Sequence, residues 1–579
     1  MKKVLSGNEA FARAAYEAGA GVVSSYPGTP STEITENVAQ YREIYTEWAT
    51  NEKVSLEVAI GASLGGKRAM SCMKHVGLNV AADPLMTLSY TGVNAGLVII
   101  VADDPNMYSS QNEQDSRHFA RFGKVPMFEP CDSQEAKQFT KDGFAISEEF
   151  CTPVLVRSTT RISHVQTIVE LEDRVEAPKF APENNIPKWV MIPANARKRH
   201  RFVENRMELL TELAEGDKYN KITMNDKSIG VVCSGVAYTY VKEALPNASI
   251  LKLDLAWPLP MKKIAKFAAS VDKLYVVEEL DKFYETEIRA AGVKVEDLDR
   301  DICGELSVDA VRKMFGLPCA EADVDTTLPF RPPSMCPGCS HRGIFYAINR
   351  LKLFVTGDIG CYTLGLLPPL QAINTTVCMG ASIGMAHGLD KAADDMSRKS
   401  VAVIGDSTFL HTGINSLINT VYNQGHSTVI ILDNTITGMT GHQANAGSGK
   451  DIHGNALPYK IDFAAICKAV GVKEENIRVI DPFDIANAME VLKEETSKPE
   501  PSVIITNKPC IFADRTVIEQ PYFIHEDKCS GCRICTKLGC PAILWNAEKR
   551  IAVIDENLCT GCHLCIKVCK FGAIEQRSK

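Results

Sequence analysis

The sequence predicts an α/β fold carried by several parallel-sheet domains and closed by a small cysteine-rich module. Two observations carry that prediction. Short apolar runs alternate with helix-like segments over most of the chain, and residues 529–579 hold eight cysteines in two copies of a C-x2-C-x2-C pattern. At 579 residues the chain is too long for one core, and about four domains is the expectation. A hydrophobic share of 45% and a charged share of 23% suit a globular enzyme, and no apolar run is long enough to span a bilayer. The net charge of -8 argues against a nucleic-acid footprint. The opening MKKVLSGNEAFARAAYEAGA reads as an amphipathic helix rather than a secretory signal. We therefore expect a cytoplasmic protein with no membrane or nucleic-acid partner. Twenty cysteines in a reducing compartment point to metal or cluster ligation over disulfides.

Taken in order, GAGVVSSYP, GLVIIVA and TPVLVRS read as buried strands with crossover helices and define a first α/β domain over residues 1–170. Residues 171–226 are rich in charge and proline and read as a surface linker. Its basic run Arg197, Lys198, Arg199, His200, Arg201 reads as a solvated helix face, with a phosphate contact as the alternative. SIGVVCSG, ASILKLDL and KLYVVEE give a small α/β domain over 227–325, and AEADVDTTLPFRPPS reads as a second linker. LFVTGD, SVAVIGD, STVIILDN and PSVIITN mark a third α/β domain over 330–515, and the tail covers 520–579.

The tail repeats one pattern in EDKCSGCRICTKLGCPAI and ENLCTGCHLCIKVCKFGAI. Three cysteines at this spacing wrap three corners of an iron-sulfur cube, and a distant fourth closes the other cube. The tail thus reads as a two-cluster ferredoxin. Cys529, Cys532, Cys535 and Cys569 would hold one 4Fe-4S cluster, and Cys540, Cys559, Cys562 and Cys565 the second. Zinc is the alternative, but its sites usually pair C-x2-C motifs. Two details depart from the usual bacterial run: four residues separate Cys535 from Cys540, and Lys570 follows Cys569 in place of proline.

In the third α/β domain, one strand ends at Gly405, Asp406 and Ser407, and another at Asp433 and Asn434; open α/β sheets bind ligands at such strand ends. Gly-Asp, then 26 residues between Ser407 and Asn434, is similar to the diphosphate-magnesium motif of thiamine diphosphate enzymes. Ser407 stands where that motif usually has glycine. The Asp406 carboxylate, the Asn434 amide oxygen and the Ile436 carbonyl are the oxygen ligands a hard divalent ion wants, and Gly405 lets the backbone approach phosphates. Two ordinary turns are the other reading. Such a cofactor also needs a carboxylate at N1′ of its aminopyrimidine. Glu57, between Leu56 and Val58 in SLEVAIGASLGG, is the candidate, because an apolar setting would raise its pKa, with an exposed helical glutamate as the other reading. In SYPGTPSTEI, Thr29 could meet a substrate carboxylate while Ser31 and Thr32 cap a helix. Arg117 could pair with the same carboxylate, with Arg121 nearly as good and an ordinary surface salt bridge as the other reading.

With CPGCSHR, GDIGC, YPGTPS, the magnesium motif and the ferredoxin tail in one chain, the sequence resembles the 2-oxoacid ferredoxin oxidoreductases. It is most similar to the large (alpha) subunits of the indolepyruvate ferredoxin oxidoreductases, over essentially the whole chain, including MKHVGLNVAADP, ADDPNMYSSQNEQDSR and the widened Cys535 to Cys540 spacing. The resemblance implies a pyrimidine-binding domain, a transketolase C-terminal-like domain, a diphosphate-binding domain and the ferredoxin domain, in that order. It implies oxidative decarboxylation of aryl pyruvates (indolepyruvate, phenylpyruvate, hydroxyphenylpyruvate) with coenzyme A, giving arylacetyl-CoA, CO2 and reduced ferredoxin in anaerobic amino-acid metabolism. A separate small beta subunit is implied, in a heterodimer or a dimer of heterodimers. In some related catalytic subunits a CPGC pair, the cysteine ending GDIGC and a later PC cysteine hold a further 4Fe-4S cluster. Cys336, Cys339, Cys361 and Cys510 are the counterparts here, with zinc or free thiols as the other readings. The alternatives for the whole chain are a pyruvate or other aliphatic 2-oxoacid oxidoreductase, a non-oxidative thiamine decarboxylase and a non-catalytic electron-carrier scaffold.

Overall fold

In a computed structural model every residue is described except 179, 183, 320–326, 330, 331, 394, 395, 397 and 579. The chain forms two compact units, Met1–Asp325 and Thr326–Lys579, and the expected linker AEADVDTTLPFRPPS lies largely outside the described residues. Among the described residues, no helix is long and apolar enough to cross a membrane.

The first unit opens with a strand, β1 (Lys2–Ser6), where the sequence pattern suggested helix. The helix Gly7–Glu17 starts only after Ser6 and Glu9 close a capping box: Glu9 N–H donates to Ser6 Oγ at 3.2 Å, and Ser6 N–H to Glu9 Oε2 at 2.7 Å. There follow β2 (Val22–Ser25), β3 (Tyr45–Trp48), β4 (Ala69–Lys74), β5 (Leu97–Asp103), β6 (Met127–Phe128), β7 (Val154–Thr159) and β8 (Gln166–Glu170), the last pairing antiparallel with β1. Next come β9 (Lys221–Thr223), β10 (Asp226–Cys233), β11 (Ala248–Lys252), β12 (Leu255–Trp257) and β13 (Lys273–Val277). The main sheet runs β12-β6-β7-β5-β4-β2-β3, parallel except for β12. β5 reads LVIIVAD because both its faces are covered, and all its residues are buried.

The second sheet runs β13-β10-β11-β9. Strand β12, which falls within the range expected for the middle domain, completes the first sheet instead. One core joins Leu97, Ile99 and Leu155 to Val232, Leu251 and Val276, so the two sheets are packed as a single body. The later part of the expected surface linker is helical. Pro193–Glu215 is a 23-residue helix that buries Val203, Arg206, Leu210 and Ala214. Arg206 donates to the Ser89 carbonyl at 3.0 Å and the Lys124 carbonyl at 3.1 Å, while Arg197, Lys198, His200 and Arg201 stay exposed. Its apolar stripe is narrow, and the charge around it masks the periodicity.

In the second unit, β14 (Phe354–Thr356), β15 (Ser400–Gly405), β16 (Thr428–Asp433), β17 (Ile477–Ile480) and β18 (Ser502–Asn507) form a parallel sheet of order β14-β15-β16-β18-β17. β17 was not visible in the sequence because it is a half-exposed edge strand interrupted by Arg478. In the tail, β19 (Tyr522–Ile524) pairs with β22 (Ile574–Gln576), and β20 (Ile543–Asn546) with β21 (Ile551–Ile554), both antiparallel. The tail shares a core with the sheet domain: Ile344, Phe345 and Ile348 pack in one cluster with Leu538, Ile554 and Leu564. Buried Arg342 fastens the two. Its Nη1 donates to the Leu538 carbonyl at 2.9 Å, and its Nη2 to the Met335 and Cys336 carbonyls at 2.8 and 3.0 Å.

Candidate active site and cluster cavities

In the first unit the carboxyl ends of β2, β3, β4 and β5 gather the Tyr26–Pro30 loop, Glu52, Lys74 and Asp104. Thr29 is half-buried there, and Ser109 Oγ donates to its carbonyl at 3.2 Å. Glu57 does not sit in an apolar setting. It is on the outer face of the helix Glu52–Leu64, its side chain is 45% exposed, and it pairs with Lys53 one turn earlier. The buried glutamate of that helix is Glu52, its first residue, which is 4% exposed and packs on Gly77, where an added Cβ would lie 2.7 Å from Glu52 Oε1. The helical period explains the error: Leu56 and Ala59 carry the buried face, and Glu57 follows them out to solvent. The missed signal was Asn-Glu at a helix start, since Asn51 caps the helix by accepting from Val54 N–H at 2.9 Å, which makes Glu52 its first residue.

Arg117 also differs from expectation. It is buried, with Nε on Asp115 at 2.9 Å, Nη1 on Glu278 at 2.8 Å, and Nη2 on the Glu279 and Asp281 carbonyls at 2.8 and 3.2 Å. Every nitrogen of its fork has an internal acceptor, so Arg117 ties the second sheet to the first through Asp115 and Glu278. Arg121 is 52% exposed and pairs with Glu287.

In the second unit, β15 and β16 are neighbours in register, which sets Gly405 and Asp406 beside Asp433 and Asn434. Gly405 is required by the Tyr362 ring, whose Cε1 would lie 2.6 Å from an added Cβ. Asp406 Oδ1 accepts from Ser407 N–H at 2.6 Å, and Asp406 Oδ2 is buried with no hydrogen-bond partner among the described residues. Burial, then the neighbouring Asp433, holds the Asp406 carboxyl above the usual range, and burial raises Asp433 as well. Two facing carboxyls with an orphaned oxygen fit a divalent cation, which relieves both effects. Asn434 Nδ2 lies 3.3 Å from His341 Nε2, and Asn434 Oδ1 accepts from Ile436 N–H at 3.3 Å. Burial lowers His341 to about 4, so the ring is neutral and accepts from the amide. Thr437 Oγ1 donates to Ser407 Oγ at 3.0 Å.

The eight tail cysteines line two apolar cavities in crossed sets. Cys529, Cys532, Cys535 and Cys569 surround one; Cys540, Cys559, Cys562 and Cys565 surround the other. The charged neighbours of Cys535 and of Cys562 follow the same partition. Burial first, then Cys529, Cys532 and Cys569, raises Cys535 to about 11, while Cys562 is raised by burial and by Cys540 and Cys559. Gly539, at φ +67°, ends the turn after Cys535 and swings Cys540 to the other cavity, a use for the extra residue in that spacing. Among the described residues no three cysteine sulfurs lie within 4.8 Å of one another, whereas four thiolates on one zinc at about 2.3 Å would sit ~3.8 Å apart. The cavities fit a cluster better than a single ion. Cys336, Cys339, Cys361 and Cys510 also come together: burial raises Cys361 to about 11, with further contributions from Cys510 and Cys336. Cys510 N–H donates to the Asn434 carbonyl at 3.0 Å, so this set adjoins the Asp406 loop.

Three family models match this architecture. "Pyruvate flavodoxin/ferredoxin oxidoreductase, thiamine diP-bdg" matches residues 13–221, "Thiamine pyrophosphate enzyme, C-terminal TPP binding domain" residues 358–506, and "4Fe-4S binding domain" residues 552–575. Fold, cofactor loops and cysteine cavities thus define the class, a thiamine-diphosphate-dependent 2-oxoacid ferredoxin oxidoreductase that decarboxylates 2-oxoacids oxidatively. The chain is 40% identical to "Indolepyruvate oxidoreductase subunit IorA" of Pyrococcus abyssi, covering 99% of this chain and 96% of that one. It is 39% identical to the subunit of that name from Methanothermobacter thermautotrophicus (100% and 98% covered) and 38% to that from Archaeoglobus fulgidus (99% and 97%). The chain belongs to the indolepyruvate oxidoreductase subunit IorA family.

Proposed function

We propose that this chain is the large subunit of an aryl-pyruvate ferredoxin oxidoreductase. An aryl pyruvate anion and coenzyme A would give arylacetyl-CoA, CO2, a proton and two electrons, passed singly to ferredoxin. The observation that carries this reading is a buried metal-type loop at Asp406 in the same unit as two crossed cysteine cavities. When bound, thiamine diphosphate supplies the electron sink that lets a 2-oxoacid lose CO2.

The chain's own residues divide the remaining work. Asp406, Asn434 and the Ile436 carbonyl would hold magnesium, with Gly405 and Ser407 shaping the diphosphate loop. Glu52, in place of Glu57, would hold and move a proton at N1′ of the aminopyrimidine, since it is the buried glutamate of that helix and lies at the strand ends. Thr29 would orient the substrate carboxylate. The two crossed sets would hold 4Fe-4S clusters, and Cys336, Cys339, Cys361 and Cys510 a third beside the Asn434 loop. The name of the relatives designates one subunit, which supports a partner subunit; in this reading the partner is small, the two form a heterodimer or a dimer of heterodimers in the cytoplasm, and ferredoxin accepts the electrons. To test the substrate, the chain is copurified anaerobically with its small partner and CoA-dependent viologen reduction is measured with indolepyruvate and with pyruvate. Preference for indolepyruvate is expected; preference for pyruvate would move the substrate to the aliphatic 2-oxoacids.

A further inference from the structure

With Arg117 enclosed and Arg121 paired on the surface, the Thr29 loop lacks the cation expected for a carboxylate. One residue at the same strand ends can supply it. Lys74, the last residue of β4, is 8% exposed, and its stem packs on the Tyr26–Pro30 loop, where a Cβ at Gly28 would meet Lys74 Cγ at 3.2 Å. Its Nζ donates to the Ser109 carbonyl at 3.0 Å, and Ser109 in turn bonds the Thr29 carbonyl. Among the described residues this is the single hydrogen bond of Lys74, and it makes no ion pair. A buried ammonium that uses one of three donors is costly unless an anion completes it.

We infer that Lys74 takes the carboxylate of the 2-oxoacid substrate, beside Thr29. The inference rests on the aryl-pyruvate reading above and adds to it the residue that recognises the acid group. The charges that act on Lys74 are Asp104 and Glu52; its neighbour His75 turns its ring away to the Asn112 carbonyl at 3.1 Å. Burial lowers Lys74 to about 8 despite both carboxylates, so it is charged at neutral pH and gains from a third, ligand anion.

The test uses the enzyme copurified with its small partner and loaded with thiamine diphosphate, and reads equilibrium binding of phenyllactate, an unreactive 2-hydroxy analogue, against its neutral amide. Wild type should favour the acid, Lys74→Met should weaken the acid by roughly a hundredfold and leave the amide, and Lys74→Arg should restore much of the preference. Equal acid-over-amide preference in wild type and Lys74→Met overturns the inference, as does a variant that loses thiamine diphosphate binding along with both ligands. If Lys74→Met fails to fold, the pH dependence of wild-type binding decides: acid affinity should fall above about pH 8 while amide affinity stays level, and a level acid profile to pH 10 overturns it. A wild type that binds no thiamine diphosphate would instead refute the proposed function itself.

Discussion

Replacing Glu52 by glutamine separates the two glutamates of one helix. Glu52 is 4% exposed and sits against Gly77, while the side chain of Glu57 is 45% exposed and paired with Lys53. Glutamine keeps the shape of Glu52 and its packing but cannot carry a proton to and from a ring nitrogen. General acid–base groups contribute about 10²–10⁴-fold to turnover, so Glu52→Gln should lower kcat by roughly a thousandfold. Glu57→Gln removes an exposed ion pair of small effect and should leave kcat within about twofold. The assay is anaerobic, CoA-dependent viologen reduction, with iron content and thermal midpoint as folding controls. Turnover of Glu52→Gln within about threefold of wild type would refute the assignment, and so would a thousandfold loss in Glu57→Gln.

Cys569→Ser and Cys540→Ser should each remove a different one of the two tail signals in electron paramagnetic resonance, because the cavities are lined by crossed sets; loss of the same signal from both would contradict the crossing. Cys510→Ser should lower iron from about twelve to about eight atoms per chain, and a wild type with about eight would leave no third cluster. Arg117→Met should destabilise the first unit by about 3–5 kcal/mol in urea melts, since it strands buried Asp115 and Glu278; a loss under about 1 kcal/mol would show that the network does not fasten the sheets. Buried Glu279 has its carboxyl raised from 4.5 to about 7 by burial, with Leu306 N–H donating to Oε1 at 2.8 Å and Oε2 unpaired. The folded chain keeps a proton there that the unfolded chain has released. The stability from this group is therefore full below about pH 4.5 and is lost as pH rises through about 7, by at most about 3 kcal/mol. Glu279→Gln should flatten that decline, and an unchanged slope would exclude Glu279 as its source.

Local chemistry was legible in the sequence wherever it is written in spacing. The crossed cysteine sets, the Gly405-Asp406 and Asn434 strand ends and the buried strands of all three sheets depend on period and on ligand type, which neighbouring residues determine. Tertiary structure decided what depends on contacts between distant residues. β12 joins the first sheet, and Pro193–Glu215 is a packed helix because Arg206 and Leu210 find partners far away in sequence. Arg117, an apparent ligand-binding arginine, faces Glu278 across more than a hundred residues, and so belongs to the scaffold. Which glutamate of a helix is buried turns on a rotation of 100° per residue against a surface the sequence does not show. Spacing along the chain therefore determined which groups this protein carries, and packing decided which of them are left with an unsatisfied charge or an unpaired oxygen to offer a ligand.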